Sequence, residues 1–319
     1  MQFLKKHRGW LRLLGVLLLV ALVPFFKIDL RATVNILAHA DLFDITLAVL
    51  LFIPFLASKA WRWQVILRDL GVSIPFGQAS NLYALGLGAG MVTPGQVGDA
   101  VKVAYLRSQG LGRALLSVLL DRLWDILVLL LLTGSGAFLF WQQLQSEWVV
   151  LALLTLGAGA ILALTASPRA QGWLLKLLEK MRRNSTPGAG FEPVRLSPAQ
   201  ILRQFALTLL ATAVVYLRLY LLTTAVGVHL GLIPFIAAMS LATVAALVPI
   251  SISGLGTRDA ALVGISALVG MTSEQALAVS ALILFLSVVN GLVGLAVWLV
   301  WKPRPAGVTT SPVVGPERP

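Results

Sequence analysis

TPGQVGDA at Thr93–Ala100 and PISISGLGTRDA at Pro249–Ala260 are two polar interruptions in a chain that otherwise reads as membrane helix. Each follows a long apolar run, carries a proline and two glycines, and ends in Asp-Ala. Hydrocarbon offers no partner to a backbone N–H or C=O, so a helix breaks at membrane depth only where protein or a water-filled cavity satisfies the freed groups. A matched pair of Gly/Pro-interrupted segments in the two halves of a chain points to a repeat-built transporter with its site between the repeats.

Composition sets the class. Of the 319 residues, 58% are hydrophobic and only 12% charged, against about 25% charged in an average soluble domain. The expectation is an all-α polytopic membrane protein with no soluble domain beside the spans. MQFLKKHRGW, followed by the apolar run Leu11–Phe26, begins like a signal peptide but lacks a clean small-residue cleavage site, and is read as a retained first span. Cysteine is absent and the three histidines, His7, His39 and His229, lack ligand spacing, which argues against thiolate and zinc chemistry. No catalytic residue, metal or cofactor is expected. The net charge of +12 needs no nucleic-acid partner, because membrane topology accounts for most of the basic residues.

Apolar runs near the roughly 20 residues that cross a bilayer give about six full spans. They are Trp10–Phe26, Leu42–Ala57, Leu115–Phe140, Trp148–Ala166, Ile201–Val226 and Gln275–Trp301. Pro75–Gly110 and Leu232–Met271 each hold one long and one short apolar stretch, split by the interruptions. Lysine and arginine collect in short cytoplasmic loops. That rule makes cytoplasmic the N-terminus (Lys5, Lys6, Arg8, Arg12), the stretch Lys59, Arg62 and Arg68 after the second span, the linker Ser167–Arg203 and the tail (Lys302, Arg304, Arg318). WQQLQSE (Trp141–Glu147), with no basic residue, falls outside, and Lys27 and Arg31 fall there too, against the rule.

Parity then requires Pro75–Gly110 to enter and leave on the cytoplasmic face and Leu232–Met271 on the outer face, both as re-entrant or broken-helix hairpins. Each half becomes span, span, hairpin, span, and the second half lies inverted. The membrane domain occupies residues 1–301, with repeats at 1–140 and 148–301 joined by 141–147. A cytoplasmic linker, 167–200, sits inside the second repeat, and 302–319 is a disordered Pro-rich tail. Pro94 and Pro249, like Asp99 and Asp259, lie about 155 to 160 residues apart. An inverted repeat brings two such hairpins together near the midplane from opposite faces.

The run TPGQVGDAVKVAYLRSQGLGRALLSVLLDRLWDIL (Thr93–Leu127) resembles the proline, glycine, acidic residue, basic helix and hydrophobic-acidic-arginine-hydrophobic pattern in the transmembrane region of lysylphosphatidylglycerol synthases. PISISGLGTRDAAL (Pro249–Leu262) is similar to that family's second motif, a glycine-leucine-glycine followed by arginine and an acidic residue. The resemblance spans roughly Trp10–Trp301. It implies a flippase-like membrane domain that moves an aminoacylated lipid between leaflets, while a separate soluble domain makes that lipid. No aminoacyl-transferase domain occurs before Pro319, so the expectation is lipid transport without synthesis, with a separately encoded lipid-synthesising enzyme as a partner.

The residues carry their own chemistry. In the first interruption Gly95 and Gly98 permit backbone geometry closed to other residues, and Asp99 opens the helical run AVKVAYL with Lys102 and Arg107 on its next turns. Free N–H groups at such a helix start attract a lipid phosphate. The other reading is that Asp99 caps the helix while Lys102 and Arg107 snorkel to headgroups. In the second, Gly254 and Gly256 flank Leu255, Thr257 can cap the next helix, and Arg258 stands at its positive end beside Asp259. An arginine at membrane depth faces a partner or an aqueous cavity. The candidates for Arg258 are a lipid phosphate, held bidentately, or a carboxylate among Asp259, Asp99, Asp121 and Asp125. Asp121, Arg122 and Asp125 form a third group, with Asp121 and Asp125 on one helix face and Arg122 able to pair with Asp125. It serves either the headgroup or the bolting of one helix to its neighbours. Arg218, between Tyr216 and Tyr220, reads as an interfacial anchor. In the linker, Trp173, Leu174, Leu177, Leu178 and Met181 recur at helical spacing among Lys176, Lys180, Arg182 and Arg183, as in a helix lying on the anionic leaflet.

The function expected is movement of an anionic lipid or lipid-linked headgroup across the inner membrane, with both termini cytoplasmic. Its alternatives are a secondary transporter of a small anion or ion, favoured by a closed midplane cavity, and a membrane glycosyltransferase or phosphatase acting on a lipid carrier. A groove open sideways to lipid favours flipping.

Overall fold

The computed structural model describes residues 23–91, 98, 101–106, 110–139, 147–173, 194–247 and 256–301, and every regular element among them is helical. Two short helices come first, α1 (Leu30–Ala38) and α2 (Leu42–Leu50), each started by an aspartate. The carboxylate of Asp29 accepts from the N–H groups of Arg31 and Ala32, and that of Asp41 from Phe43. Helix α2 continues through Leu51 into α3 (Phe52–Asp69). The break falls one turn before Pro54, which offers no N–H to the Leu50 carbonyl. Then follow α4 (Phe76–Met91), the short α5 (Val101–Tyr105), α6 (Leu111–Leu139), α7 (Glu147–Ala166), α8 (Pro198–Ala225), α9 (Leu232–Ala246), α10 (Thr257–Ile265) with a 3-10 turn at Ser266–Val269, and α11 (Ser273–Val300).

Three of these stretches are long and apolar enough to cross a membrane, Leu42–Asp69, Pro198–Ala225 and Ser273–Val300, each of 28 residues. At 1.5 Å per residue each exceeds the roughly 30 Å of hydrocarbon in a bilayer. Helix α6 is as long, 29 residues, but its first half carries Asp121, Arg122 and Asp125. The start of the expected first span, residues 10–22, lies outside the described residues. Two of the long helices begin as their sequences dictate. Ser-Pro-Ala-Gln and Thr-Ser-Glu-Gln form capping boxes in which Ser197 and Thr272 accept from the N–H of Gln200 and Gln275, whose side chains accept in return.

The second span departs from expectation. Instead of ending at Ala57 with Lys59 and Arg62 in a cytoplasmic loop, the helix runs on to Asp69, and both cations are buried. No glycine or proline occurs between Pro54 and Gly71 to stop it. Lys59, Arg62, Trp63 and Ile66 recur at helical spacing and are all buried, so the face is an interior one. Of the three basic residues placed in that loop, only Arg68 is exposed.

Around both interruptions a longer helix is followed by a shorter one, α4 by α5 and α9 by α10, while residues 92–97, 99–100 and 248–255 lie outside the described residues. A Cβ on Gly98 would stand 2.1 Å from the carbonyl carbon of Ala89, so Gly98 lies against the last turn of α4. Helix α5 packs on both α4 and α6, and in the second break α10 and its 3-10 turn pack on α9. The longer arms then exchange partners between the halves. Helix α4 packs along α11, and α9 packs along α6. Small residues permit both contacts. A Cβ on Gly294 would meet the Ala84 carbonyl oxygen at 2.4 Å, and one on Gly136 would meet the Ala237 Cβ at 2.6 Å. Close backbone approach of this kind is how helices associate in lipid. Helix α8 lies along α2 and α3.

Candidate functional site

Helices α3, α4, α5 and α6 enclose a polar cluster centred on Asp121. The Arg62 guanidinium, fully buried, donates from Nη2 to Asp121 Oδ1 at 2.6 Å and from Nε to the same oxygen at 3.0 Å. It also donates to Asp125, through Nη1 to Oδ1 and through Nη2 to Oδ2 at 3.1 Å. Lys59 donates to Asp125 Oδ1 at 2.7 Å, and the Tyr83 hydroxyl donates to Asp121 Oδ2 at 3.3 Å. Lys102, also fully buried, holds its Nζ 3.8 Å from Asp121 Oδ2 and 3.6 Å from the centre of the Tyr83 ring, with Trp63 beyond at 5.2 Å. Charge-assisted, multiply bonded contacts of this kind are strong, and the aromatic faces add a cation–π attraction.

The sequence left Arg122 able to pair with Asp125, and left Lys102 open between a lipid phosphate and snorkelling to headgroups. Asp125 instead binds Lys59 and Arg62, and Lys102 points inward from α5. Lys59, Arg62, Trp63 and Tyr83 were missed because two cations ending an apolar run look like a loop. The signal available was the absence of any helix breaker between them and Asp69. Gly95, Asp99, Gly254 and Arg107 lie outside the described residues.

At the second interruption Gly256 takes φ +88°, a left-handed geometry that favours glycine, and it occupies the N-cap position that had been given to Thr257. Its N–H donates to Asp259 Oδ2 at 2.9 Å, which fixes the carboxylate at the helix start. Arg258 Nη2 donates to the other oxygen, Oδ1, at 3.0 Å. Arg258 is 9% exposed and Asp259 1%. The Arg258 Nε is buried without a hydrogen-bond partner. No ion pair among the described residues joins this group to the Asp121 cluster. Among them, too, no set of three His, Cys, Asp or Glu side chains is gathered as for a metal.

Two further arrangements frame the site. Asp69, at the end of α3, accepts from Gln200 Nε2 at 3.1 Å, from Gln204 Nε2 at 2.7 Å and from Arg203. Gln204 Oε1 in turn accepts from Trp124 Nε1 at 2.8 Å, tying α3, α6 and α8 together. Arg218 is not the interfacial anchor expected of it. It is 3% exposed and donates from Nε to the Ala48 carbonyl at 2.8 Å and from Nη2 to Asn290 Oδ1 at 3.0 Å. Between α3 and α8 a mostly apolar groove of about 560 Å³ opens at the surface, lined by Pro54, Ala57, Trp61, Phe76, Leu210 and Val214 among others.

No curated protein matches the sequence. The family model described as the lysylphosphatidylglycerol synthase TM region matches residues 9–294, nearly the whole helical bundle and both interruptions. A family of this kind ties an integral membrane protein to lipid metabolism or translocation. The chain belongs to the lysylphosphatidylglycerol synthase TM region family.

Proposed function

We propose that the protein moves an anionic lipid headgroup between leaflets of the inner membrane while the lipid tails stay in the bilayer, and that it makes and breaks no covalent bond. One observation carries the reading. Arg258 stands buried at a helix start within an interrupted membrane segment, bonded to Asp259 through Nη2, with its Nε unsatisfied. An unsatisfied buried donor costs about 1–3 kcal/mol, and a phosphate oxygen would remove that cost. Asp259 keeps the guanidinium from being stranded when no lipid is present. Asp121, Asp125, Arg62 and Lys59 are then the fixed wall beside the first interruption, because their bonds go largely to one another.

The exchange of partners between α4 with α11 and α9 with α6 supports two repeats related by a pseudo-two-fold axis. Six spans, an inverted second half, cytoplasmic termini and a separately encoded lipid-synthesising partner complete the proposal. The groove between α3 and α8 opens sideways, which favours lipid movement over transport of a small water-soluble anion.

The test is transbilayer movement in reconstituted vesicles containing anionic phospholipid. Arg258→Ala, which removes charge and fork, should abolish movement without lowering folded yield. Arg258→Lys retains charge but not planar bidentate geometry and should keep only part of it. Full activity of a well-folded Arg258→Ala protein would remove the arginine from the mechanism, and loss of folded yield would reassign it to a structural pair.

A further inference from the structure

Of the buried cations among the described residues, Lys59, Arg62, Lys102 and Arg258 each have a carboxylate within 3.8 Å, at Asp125, Asp121 or Asp259. Arg218, 3% exposed, has none among them. Its Nε donates to the Ala48 carbonyl at 2.8 Å and its Nη2 to Asn290 Oδ1 at 3.0 Å. The guanidinium carbon stands 4.9 Å from the centre of the Phe55 ring and 5.8 Å from that of Phe52. Neutral acceptors and ring faces orient the charge, but they replace water less completely than a carboxylate does. A cation in a membrane-spanning helix normally faces an anion or an aqueous cavity. The packed arrangement around Arg218 therefore carries a standing penalty, which any movement that admits water to the guanidinium relieves.

The partners of Arg218 fall into two groups. Ala48 lies in the last turn of α2, and Phe52 and Phe55 lie in the first turn of α3. All three belong to the continuous stretch that packs along α8. Asn290 belongs to α11, which packs chiefly on α4, α10 and α1. Among the described residues, the bond from Arg218 to Asn290 is the one hydrogen bond between side chains that joins α11 to another helix. Parting α11 from α8 thus breaks one such bond and hydrates the cation, while α8 keeps its contacts to α2 and α3. A hydrogen bond exchanged for water changes free energy only modestly. Hydration of the charge opposes that loss, so the two arrangements lie close enough for a small bias to shift their populations.

We infer that Arg218 and Asn290 form a latch between α8 and α11. In the closed arrangement the bond is made, and in an open one α11 has parted from α8 and water solvates the guanidinium. The arginine acts on both sides of this equilibrium, because its bond favours closure and its buried charge favours opening. Removing the two residues therefore has opposite effects. Arg218→Met deletes the charge and leaves an apolar seam, which closes. Asn290→Leu leaves the cation facing α11 with no acceptor there, and the seam opens. A bond that merely held the fold together would make both variants looser and neither more closed. The latch governs the movement of the bundle itself and requires no particular cargo.

The experiment is pulsed electron–electron double resonance on the full chain in phosphatidylcholine nanodiscs. Nitroxide labels go on cysteines introduced at Leu217 and Leu292, which are exposed on α8 and α11 close to the latch in sequence. The natural chain has no cysteine, so no other site is labelled. The otherwise unaltered protein should show two distances, a shorter one for the closed seam and a longer one for the open seam. Arg218→Met should lower the open-to-closed ratio at least fivefold, and Asn290→Leu should raise it at least fivefold. Asn290→Asp, which gives the cation a carboxylate, should lower the ratio at least fivefold as well. One unchanging distance in all the proteins, or a shift in the same direction in Arg218→Met and Asn290→Leu, would overturn the latch. If Arg218→Met yields no folded protein, Asn290→Asp decides, because an undiminished open population in that variant would refute the proposal.

Discussion

Arg62 shows how much one residue's environment escapes a reading of neighbouring letters. In the string SKAWRW the two cations follow a long apolar run and look like the edge of a cytoplasmic loop, yet the structure turns them inward onto Asp121 and Asp125. Charge alone could not tell the two cases apart, because the partners lie some 60 residues away on α6. Arg218 was misjudged for the same reason: its partners, Ala48 and Asn290, are remote in sequence. Arg258 was easier to pick out, because its neighbours Gly254, Gly256 and Asp259 mark a helix start locally. Removing one member of a buried pair leaves the other stranded and typically costs about 3–5 kcal/mol. Arg62→Met should therefore lower the melting temperature in detergent sharply. Arg68→Met, at an exposed position one or two turns along the same helix, should change stability by no more than about 0.5 kcal/mol. Equal melting of the two variants would show that the Asp121 cluster contributes nothing to the fold.

Helices were more legible than their contacts. The bounds of α6, α7, α8 and α11 fall within four residues of the spans expected from their apolar runs. The end of α3 was misplaced by an inference from charge, although the breaker residues pointed to Gly71. The pairing of α4 with α11 and of α9 with α6 could not be read, because glycine in a membrane helix signals close approach without naming the partner. That pairing predicts a contrast between two glycines. A Cβ on Gly294 would press on the Ala84 carbonyl and the Gly88 backbone, whereas one on Gly134 meets nothing within 4 Å. Gly294→Ala should destabilise the protein by about 1–3 kcal/mol, as overpacking does. Gly134→Ala should be neutral or stabilising by up to about 1 kcal/mol, through helix propensity. Thermal unfolding of both variants in one detergent checks the difference, and destabilisation by Gly134→Ala equal to that by Gly294→Ala would refute the close packing.

At the scale of the molecule, the proposed inversion makes a prediction of its own. In this naturally cysteine-free chain, a single cysteine at Gln78 should label from the cytoplasm and one at Gly231 from the opposite side. Labelling from the same side would dismiss the inverted arrangement while leaving the helices unchanged. The parity behind this argument came from counting basic loops, and it keeps its support from the linker and the tail even though Lys59 and Arg62 no longer contribute. The distribution of ion pairs adds a mechanical consequence. Among the described residues, every ion pair that joins one helix to another ties α3 to α6, α5 to α6, or α3 to α8. The pair on α10 is internal to that helix. Among the described residues, opening the bundle along α9, α10 and α11 therefore separates no ion pair, while opening it along α3 and α6 would strand several. Helices α3, α5, α6 and α8 form a chassis, against which α9, α10 and α11 can shift like a door hung on a frame.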